Sequence, residues 1–480
     1  MPFLESTRYT ATTMRPPAFA AKRSWKVSLV IGGFAILILV CSMPDAAAEA
    51  YTLGGFKARH FAAALFTLLI IGACWIGKPP RRKVWCLPSL LAITGYIAVL
   101  GLIYRTSQIF EWRFFYFDIL VLCGAICGVT LTMYWRPAEV LRLVRAAYWL
   151  WLIALVLLSL ALTLGMISPV WENNVRLHNE AMFDCFDGIL YSIPLLFCGA
   201  GKQTKGWLLR WIAVGAAVVF LCNSVAGTRS VVVTLAASII LSLPLIFPKL
   251  SRPAVLLGGV GICCVGWVLL GAAETIDVTA LERLRTTQPD REDRMQELQT
   301  LFQYLGNNWV TGVGAGVCFP SPIRYRYSDH NVNPHVSVLT SLQKGGVAAF
   351  IALIVVPLLT FAVKLVRRRT VLYQYCGAAV GLTYAIHGLL APTGWDYVNL
   401  FYYGIALGFC FGPDPLVGRN QGSTVAIQEF EPMSVPTVNQ LSTQSAHSGR
   451  QTPHSPPLRS DVRLADRGEL SPSGGSRLHK

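Results

Sequence analysis

Several arginines and a histidine lie beside long apolar stretches of the sequence, where charged or titratable side chains are unusual. Arg229 opens an apolar run after a turn so short that its side chain must lie at the membrane surface, where an arginine is costly. Arg291 and Arg294 belong to the longest hydrophilic loop, and His335 follows Pro334 where that loop ends. A guanidinium forks onto phosphate oxygens, and an imidazole accepts a hydroxyl proton near neutral pH. The residue types therefore indicate an anion clamp beside a general base.

Each of these residues also has a purely structural interpretation. Arg229 could snorkel to the interface, the loop arginines could pair with neighbouring acids, and a histidine at a helix start is more often structural. The carboxylates Asp184 and Asp187 could contact substrate or form a charge pair at a helix end, and His387 is interpreted as a buried, hydrogen-bonded helix residue. Four aromatic residues could stack on sugars or form interfacial belts. They are Trp309, Tyr325, Tyr327 and Trp395.

Membrane-spanning helices must position these residues. The chain has 480 residues, 54% hydrophobic and 14% charged, with a mean hydropathy of +0.50. So few charged groups cannot cover a soluble globule, whereas apolar runs of about 20 residues match a bilayer core. We predict an all-α polytopic membrane protein with about twelve transmembrane helices. The predicted spans are residues 26–44, 61–77, 86–104, 114–133, 146–167, 186–200, 207–223, 229–248, 253–272, 346–363, 371–390 and 399–412.

The distribution of Lys and Arg orients these spans. A net charge of +16 would suggest nucleic acid in a soluble protein, but here the basic residues fall in alternate loops, which the positive-inside rule assigns to the cytoplasm. We therefore predict no nucleic-acid partner and both termini in the cytoplasm. The basic groups on that side include the N-terminal segment 1–25 and the loop residues Arg81, Arg142, Arg145, Lys202 and Lys249.

Two segments flank or interrupt the predicted transmembrane domain, residues 26–412. Residues 273–335 join the ninth and tenth spans on the external face and contain four apolar residues at helical spacing, which predicts an amphipathic helix ending near Gly306. It is expected to lie on the membrane surface or to pack over the bundle. Its apolar residues are Leu298, Leu301, Phe302 and Leu305. Residues 413–480 are rich in Ser, Pro and Gln without apolar periodicity, which predicts a disordered cytoplasmic tail.

An external site restricts the possible substrates. Nucleoside triphosphates are not available there, so a transferase must use a group activated before it crosses the membrane, and a lipid-linked diphosphate is the obvious candidate. The sequence has no Walker loop, dinucleotide fingerprint, DxD-type site or HExxH, so we predict no cofactor and no metal. The Gly-Val-Gly-Ala-Gly run at 312–316 is not a dinucleotide motif and predicts a tight turn or a close backbone approach.

These elements together resemble the O-antigen ligase family, whose shared domain also occurs in O-antigen polymerases and protein O-oligosaccharyltransferases. The Thr-Arg-Ser segment around Arg229 resembles the family's Ser-Arg segment. Arg294, eighteen residues before Gly312, resembles its loop arginine. His335 after a proline, with Gly346 eleven residues later, resembles its Pro-His-Asn…Gly motif. The resemblance covers residues of about 210–390, while the N-terminal spans and the tail contribute only topology.

The sequence departs from the family pattern at three positions. Leu298 stands where a Trp is usual, Val336 replaces the usual polar residue after the histidine, and Ala349 occupies a position that is usually small or Tyr/Thr. Val336 removes one polar side chain that could have helped to position the histidine.

The resemblance implies an activity and roles for the residues. It implies a GT-C-like fold and transfer of preassembled O-antigen from undecaprenyl diphosphate to lipid A-core, on the periplasmic face of a Gram-negative inner membrane. Arg229 and Arg294 would hold the diphosphate, and His335 would accept the proton of the acceptor hydroxyl, so that inversion is expected without a metal. Arg291 is the alternative to Arg294, and Tyr325 is a candidate sugar contact.

Other functions remain open at this point. An O-antigen polymerase or a protein O-oligosaccharyltransferase would use the same donor with another acceptor. A twelve-span transporter or flippase would be compatible with the span count, but such carriers often have charges within their helices and two similar halves, which are not evident here. A membrane scaffold acting through its tail has only the predicted disordered segment in its favour.

Overall fold

Long apolar helices dominate the computed structural model of the chain. Within the described residues, four segments are long and apolar enough to cross a membrane: Cys86–Tyr104, Trp112–Tyr134, Pro137–Leu162 and Ser337–Val366. A helix lies at every predicted span except residues 253–272, which are outside the described part of the chain. The chain is therefore a membrane-embedded helical protein. The structure describes residues 25–43, 56–75, 80–106, 109–166, 180–198, 207–224, 229–247, 288–325, 328–331, 334, 336–367, 370–390 and 395–412.

The described helices and strands follow in chain order. The helices are α1 (Trp25–Cys41), α2 (Ala58–Trp75), α3 (Cys86–Tyr104), α4 (Trp112–Tyr134), α5 (Pro137–Thr163), α6 (Glu180–Leu196), α7 (Trp207–Ser224), α8 (Arg229–Ile246), α9 (Gln288–Leu305), α10 (Thr340–Phe350), α11 (Val356–Val366), α12 (Leu372–Leu390) and α13 (Tyr397–Phe411). The strands are β1 (Phe319–Tyr325) and β2 (Ser328–Asn331). Short 3₁₀ turns lie at Gly306–Trp309 and Ser337–Leu339, and a π-helical turn lies at Ile351–Val355.

Close packing of α4 against α13 forms the centre of the bundle. A Cβ atom at Gly128 would clash with the carbonyl oxygen of Phe401, and one at Gly404 would clash with that of Ala125, so glycine is required at both contacts. Small residues serve this purpose in lipid, where close backbone packing replaces the hydrophobic drive for association. Helix α12 packs on α13 and also contacts α6 and α8. The helix that begins at Arg229 is thereby joined to the last two helices.

The large loop contains a helix and a β-hairpin. Helix α9 ends at Leu305, which confirms the predicted end near Gly306. Strands β1 and β2 pair antiparallel, so the loop of this helical protein also contains a β-hairpin, which the sequence did not predict. The two prolines of β1, Pro320 and Pro322, concealed this strand, since proline cannot donate to a β-ladder.

The segment after the loop is an interrupted helix. Gly346 has φ +67° within α10, and the π-helical turn Ile351–Val355 separates α10 from α11. Such irregularities in a helix are frequent at functional sites. The chain that follows the Pro-His motif therefore bends at Gly346, next to Val310 of the large loop.

Candidate functional site

The predicted site residues fall on several different elements. Arg229 is the first residue of α8, Arg291 and Arg294 lie in the first two turns of α9, and Tyr325 is the last residue of β1. His335 lies outside the described residues, between the described Pro334 and Val336. The glycine turn and the helices next to these positions connect them.

The glycine turn, residues 312–316, is a left-handed backbone segment that passes between helices. Gly312, Gly314 and Gly316 have φ values of +80°, +87° and +76°, which L-residues with a side chain rarely adopt. A Cβ at Gly312 would lie 2.5 Å from the amide nitrogen of Gly346, and one at Gly314 would clash with Gly101 of α3. The interpretation of this run as a tight turn in close backbone contact is confirmed.

Main-chain hydrogen bonds join the glycine turn to two helices. The amide of Val313 donates to the carbonyl of Gln343 at 2.9 Å, and the amide of Gly314 donates to that of Lys344 at 2.8 Å. The next residue, Ala315, donates to the carbonyl of Ile97 in α3 at 3.0 Å. The turn is thus fixed both to α3 and to the start of the helix that follows the Pro-His motif.

A buried ion pair supports the same turn. The Lys344 ammonium lies 2.9 Å from Oδ2 of Asp118, and both side chains are fully buried. Lys344 also donates to the carbonyl of Val317 at 2.8 Å, while Oδ2 of Asp118 accepts from the amide of Gly316 at 2.9 Å. Both charges therefore have an opposite charge and further hydrogen bonds, as buried charges need.

The ion pair extends to the segment before α13. Trp395 is 4% exposed, and its indole nitrogen donates to Oδ1 of Asp118 at 3.2 Å. The alternative in which Trp395 stacks on a sugar therefore does not fit, because its ring is buried in the protein. Trp309 is 51% exposed, so it remains accessible to a ligand.

Helix α9 is attached to the glycine turn through a small apolar cluster. Leu301 and Leu305 are fully buried against Val313, Val317 and Phe319. Of the predicted apolar face, Phe302 is 51% exposed. The helix that bears Arg291 and Arg294 therefore packs on the loop, and this packing fixes its position relative to the turn.

Two contacts of α8 establish its direction in the bundle. The Ser238 hydroxyl donates to the carbonyl of Leu190 at 2.8 Å. The next residue of α6, Tyr191, is hydrogen-bonded to His387 of α12. Three residues after Ser238, the carbonyl of Leu241 accepts from the Tyr375 hydroxyl at 3.0 Å. Helix α8 therefore runs from the His387 end of α12 towards its Tyr375 end, antiparallel to α12.

The same end of α12 receives the chain that follows the Pro-His motif. Ser337 is buried and its hydroxyl donates to the carbonyl of Gly388 at 3.2 Å, and Pro334 is also buried. Arg229 lies nine residues before Ser238, a distance of about 14 Å along a helix, in the direction of this end. The residues on either side of His335 and the start of α8 thus converge on one end of the bundle.

A buried polar network lies beneath this end. The Tyr191 hydroxyl and Nδ1 of His387 are 2.5 Å apart, and the same nitrogen lies 3.5 Å from Oδ1 of Asp187. Asn399 donates to Oδ2 of Asp187 at 2.7 Å. The interpretation of His387 as a buried, hydrogen-bonded residue is confirmed. Asp187 is buried and belongs to this network, so it does not fit the interpretation of a charge pair at a helix end.

The cysteine of the loop is not a nucleophile in this arrangement. Burial raises the pKa of Cys318 to about 12, although the nearby Lys344 ammonium acts to lower it. The thiol therefore stays protonated near neutral pH, and the thiolate that attacks electrophiles is not formed.

Sequence reasoning missed Asp118 and Lys344. The signal was present, because Asp118 is the one charged residue of the predicted span 114–133, and Lys344 directly precedes a glycine pair at the start of another apolar run. An ionisable residue in an apolar helix is costly and is retained for a partner or a function.

Comparison with known proteins shows which family the large loop and the helices on either side of it resemble. Residues 212–354 match the family described as O-antigen ligase. The matched segment includes Arg229, Arg294, the glycine turn, Lys344 and Gly346. No curated protein matches the chain. Over residues 212–354 the chain is therefore similar to the O-antigen ligase family.

Proposed function

We propose that the protein is an O-antigen ligase. It transfers preassembled O-antigen from undecaprenyl diphosphate to a sugar of lipid A-core, and thereby completes lipopolysaccharide. In the proposed layout the chain crosses a Gram-negative inner membrane about twelve times, with the site on the periplasmic face and with both termini and the tail 413–480 in the cytoplasm.

One structural observation carries the proposal beyond the family match. The glycine turn, residues 312–316, is bonded to Gln343 and Lys344 and packs against α9, so the loop arginines and the helix after His335 belong to one connected unit. The start of α8 lies at the same end of the bundle. A diphosphate clamp and a proton acceptor can therefore serve one substrate pair.

The arginines would act on the leaving group. Arg229 and Arg294, with Arg291 as the alternative, would bind the diphosphate oxygens and stabilise the negative charge that accumulates as the sugar–phosphate bond breaks. Such cations supply the electrostatic stabilisation that a metal ion supplies in many nucleotide-sugar enzymes. Tyr325 at the end of β1 and the exposed Trp309 are candidates for contact with sugar rings.

His335 would act on the acceptor. The acceptor hydroxyl oxygen attacks the anomeric carbon of the donor, the bond from that carbon to the diphosphate oxygen breaks, and the electron pair leaves with undecaprenyl diphosphate. His335 takes the hydroxyl proton during the attack. Direct displacement inverts the anomeric centre without a glycosyl-enzyme intermediate.

Purified full-length protein in lipid vesicles tests the proposal. Undecaprenyl diphosphate-linked O-antigen and lipid A-core are supplied with chelator and without nucleotide, and the product is separated by gel electrophoresis. The variants are His335→Ala, Arg229→Ala and Arg294→Ala, with Arg105→Ala as a matched control because Arg105 is exposed at the end of α3.

The expected result is high-molecular-weight lipopolysaccharide from wild type and from Arg105→Ala. Removal of His335 should lower turnover by about 10²–10⁴-fold, and removal of either site arginine by about 10²–10³-fold. Lengthening of the lipid-linked donor without transfer to lipid A-core would replace the ligase proposal with a polymerase. No product from a folded wild-type protein would refute transfer from this donor.

A further inference from the structure

Two arginines lie at matching positions of two hydrogen-bonded helices, at the end of the bundle opposite the candidate functional site. Arg145 lies in α5 and Arg210 in α7, and the charges of the two guanidinium groups interact. One turn further along each helix, the Tyr148 hydroxyl donates to the carbonyl of Ala213 at 3.0 Å. Since this bond fixes the register of the two helices, Arg145 and Arg210 lie at the same level of the bundle.

The guanidinium groups retain hydrogen-bond donors that have no acceptor in the described part of the chain. Nη2 of Arg145 donates to the carbonyl of Cys198 at the end of α6 at 2.5 Å. Nε of Arg145 and Nη1 of Arg210 are buried, and neither has a hydrogen-bond partner among the described residues. A buried charged donor without an acceptor is expensive, so this pair favours an acceptor from outside the described chain.

The charge of the adjacent sequence favours an anion as that acceptor. The sequence between α6 and α7, residues 199–206, contributes Lys202 and Lys205 and contains no acid. Glu139, the acid in the first turn of α5, accepts from the amide of Arg136 at 2.8 Å. Like charges held together repel, and a bound anion with several oxygens would both neutralise them and accept their free N–H groups.

The position of the pair indicates the chemical class of the anion. Leu209 and Ile212, on either side of Arg210, are 54% and 58% exposed, as expected for side chains that contact lipid tails. The loops at this end are the basic ones that the positive-inside rule assigns to the cytoplasm. Basic pockets between helices on that side bind anionic lipid headgroups.

We propose that Arg145 and Arg210 form a binding site for the phosphodiester headgroup of an anionic phospholipid in the cytoplasmic leaflet. The phosphate oxygens accept from Nε of Arg145 and Nη1 of Arg210, and the acyl chains lie along α7 beside Leu209 and Ile212. The site is separate from the proposed ligase site and does not depend on that function.

Lipid retention by the purified full-length protein tests the site. Native mass spectrometry counts the phosphatidylglycerol molecules that remain bound after transfer from mixed phosphatidylcholine–phosphatidylglycerol nanodiscs. The variants are Arg145→Gln and Arg210→Gln, and Arg142→Gln is the matched control because Arg142 is exposed on the same helix and its loss changes the net charge equally.

Wild type and Arg142→Gln should retain one phosphatidylglycerol, and each site variant should retain it at least about tenfold more weakly, since each loses a charge-assisted hydrogen bond. Equal retention by all variants, or an equal loss in Arg142→Gln, would overturn the site. A wild-type Tm that does not differ between phosphatidylcholine and phosphatidylglycerol nanodiscs would also overturn it, and this measurement needs no variant to fold. Inorganic phosphate that displaces the lipid and raises Tm equally would identify a free-anion site and refute the lipid.

Discussion

Removal of the Asp118–Lys344 ion pair tests whether the pair only stabilises the fold or also positions the glycine turn for turnover. Lys344→Met leaves the Asp118 carboxylate buried without its counter-ion, and Asp118→Asn leaves the Lys344 ammonium buried without its counter-ion. The double variant removes both charges, while the amide oxygen introduced by Asp118→Asn can still accept from the amide of Gly316. The three variants therefore differ in buried charge more than in shape.

The free energies follow from the geometry of the pair. At 2.9 Å and an effective dielectric constant of about 20, the Coulomb attraction is about 6 kcal/mol. Desolvation of two buried ions offsets most of it, so replacement of both should be close to neutral, whereas loss of one partner should cost about 3–5 kcal/mol. Each single variant should thus lower the folded-to-unfolded ratio by about a hundredfold to several thousandfold.

Turnover of the double variant decides the role of the pair. If the pair positions the glycine turn, the double variant should unfold near the wild-type temperature in detergent but lose at least about tenfold in kcat, because small misplacements of reacting groups are costly. The KM for lipid A-core should change less. Wild-type turnover in a double variant of wild-type stability would refute the positioning argument, and unchanged stability of both single variants would refute the buried-charge reasoning.

Three further predictions concern the loop and the tail. Gly346→Ala should unfold at lower temperature than wild type, because its Cβ clashes with the Val310 carbonyl at a φ of +67°; Gly215→Ala, whose Cβ meets nothing within 4 Å, is the control and should be neutral or slightly stabilising. Burial raises the pKa of Cys318 to about 12, so with rising pH the thiol ionises in the unfolded chain before it ionises in the folded one. The stability that this group contributes should therefore be complete below about pH 8.5 and lost as pH rises towards 12. Cys318→Ser should remove this alkaline loss of stability from unfolding curves. Removal of residues 415–480 should leave ligation intact, and loss of activity in a truncated protein that inserts normally would contradict the interpretation of the tail as a solvated appendage.

The helices were predictable because their signal is local. An apolar run long enough to cross a bilayer needs no knowledge of its neighbours, and Gly306 marked the end of α9 for the same reason. The hairpin of β1 and β2 was missed, since its pairing depends on contacts that a proline-containing strand does not display in sequence.

The candidate site was only partly predictable because its contacts are not local. The individual residue types of Arg229, Arg294 and His335 drew attention, but their roles remain predictions. Asp118 and Lys344 stand far apart in the chain, and each alone looks like a defect in an apolar segment. Only the fold shows that the two defects neutralise each other and hold Gly316 and Val317 between them.

The glycines of two separate motifs express a single physical requirement. Gly312 leaves room for the backbone of Gly346, and Gly346 leaves room for the carbonyl of Val310, so each is needed because of the segment that contains the other. The residues between them include the hairpin of β1 and β2 and further positions that the turn requires, such as Gly314 and Lys344. Short, degenerate motifs are therefore expected in this architecture. A particular residue is required where one backbone segment packs on another, where buried charges pair, or where a substrate would bind, and the remaining residues need only to connect these positions.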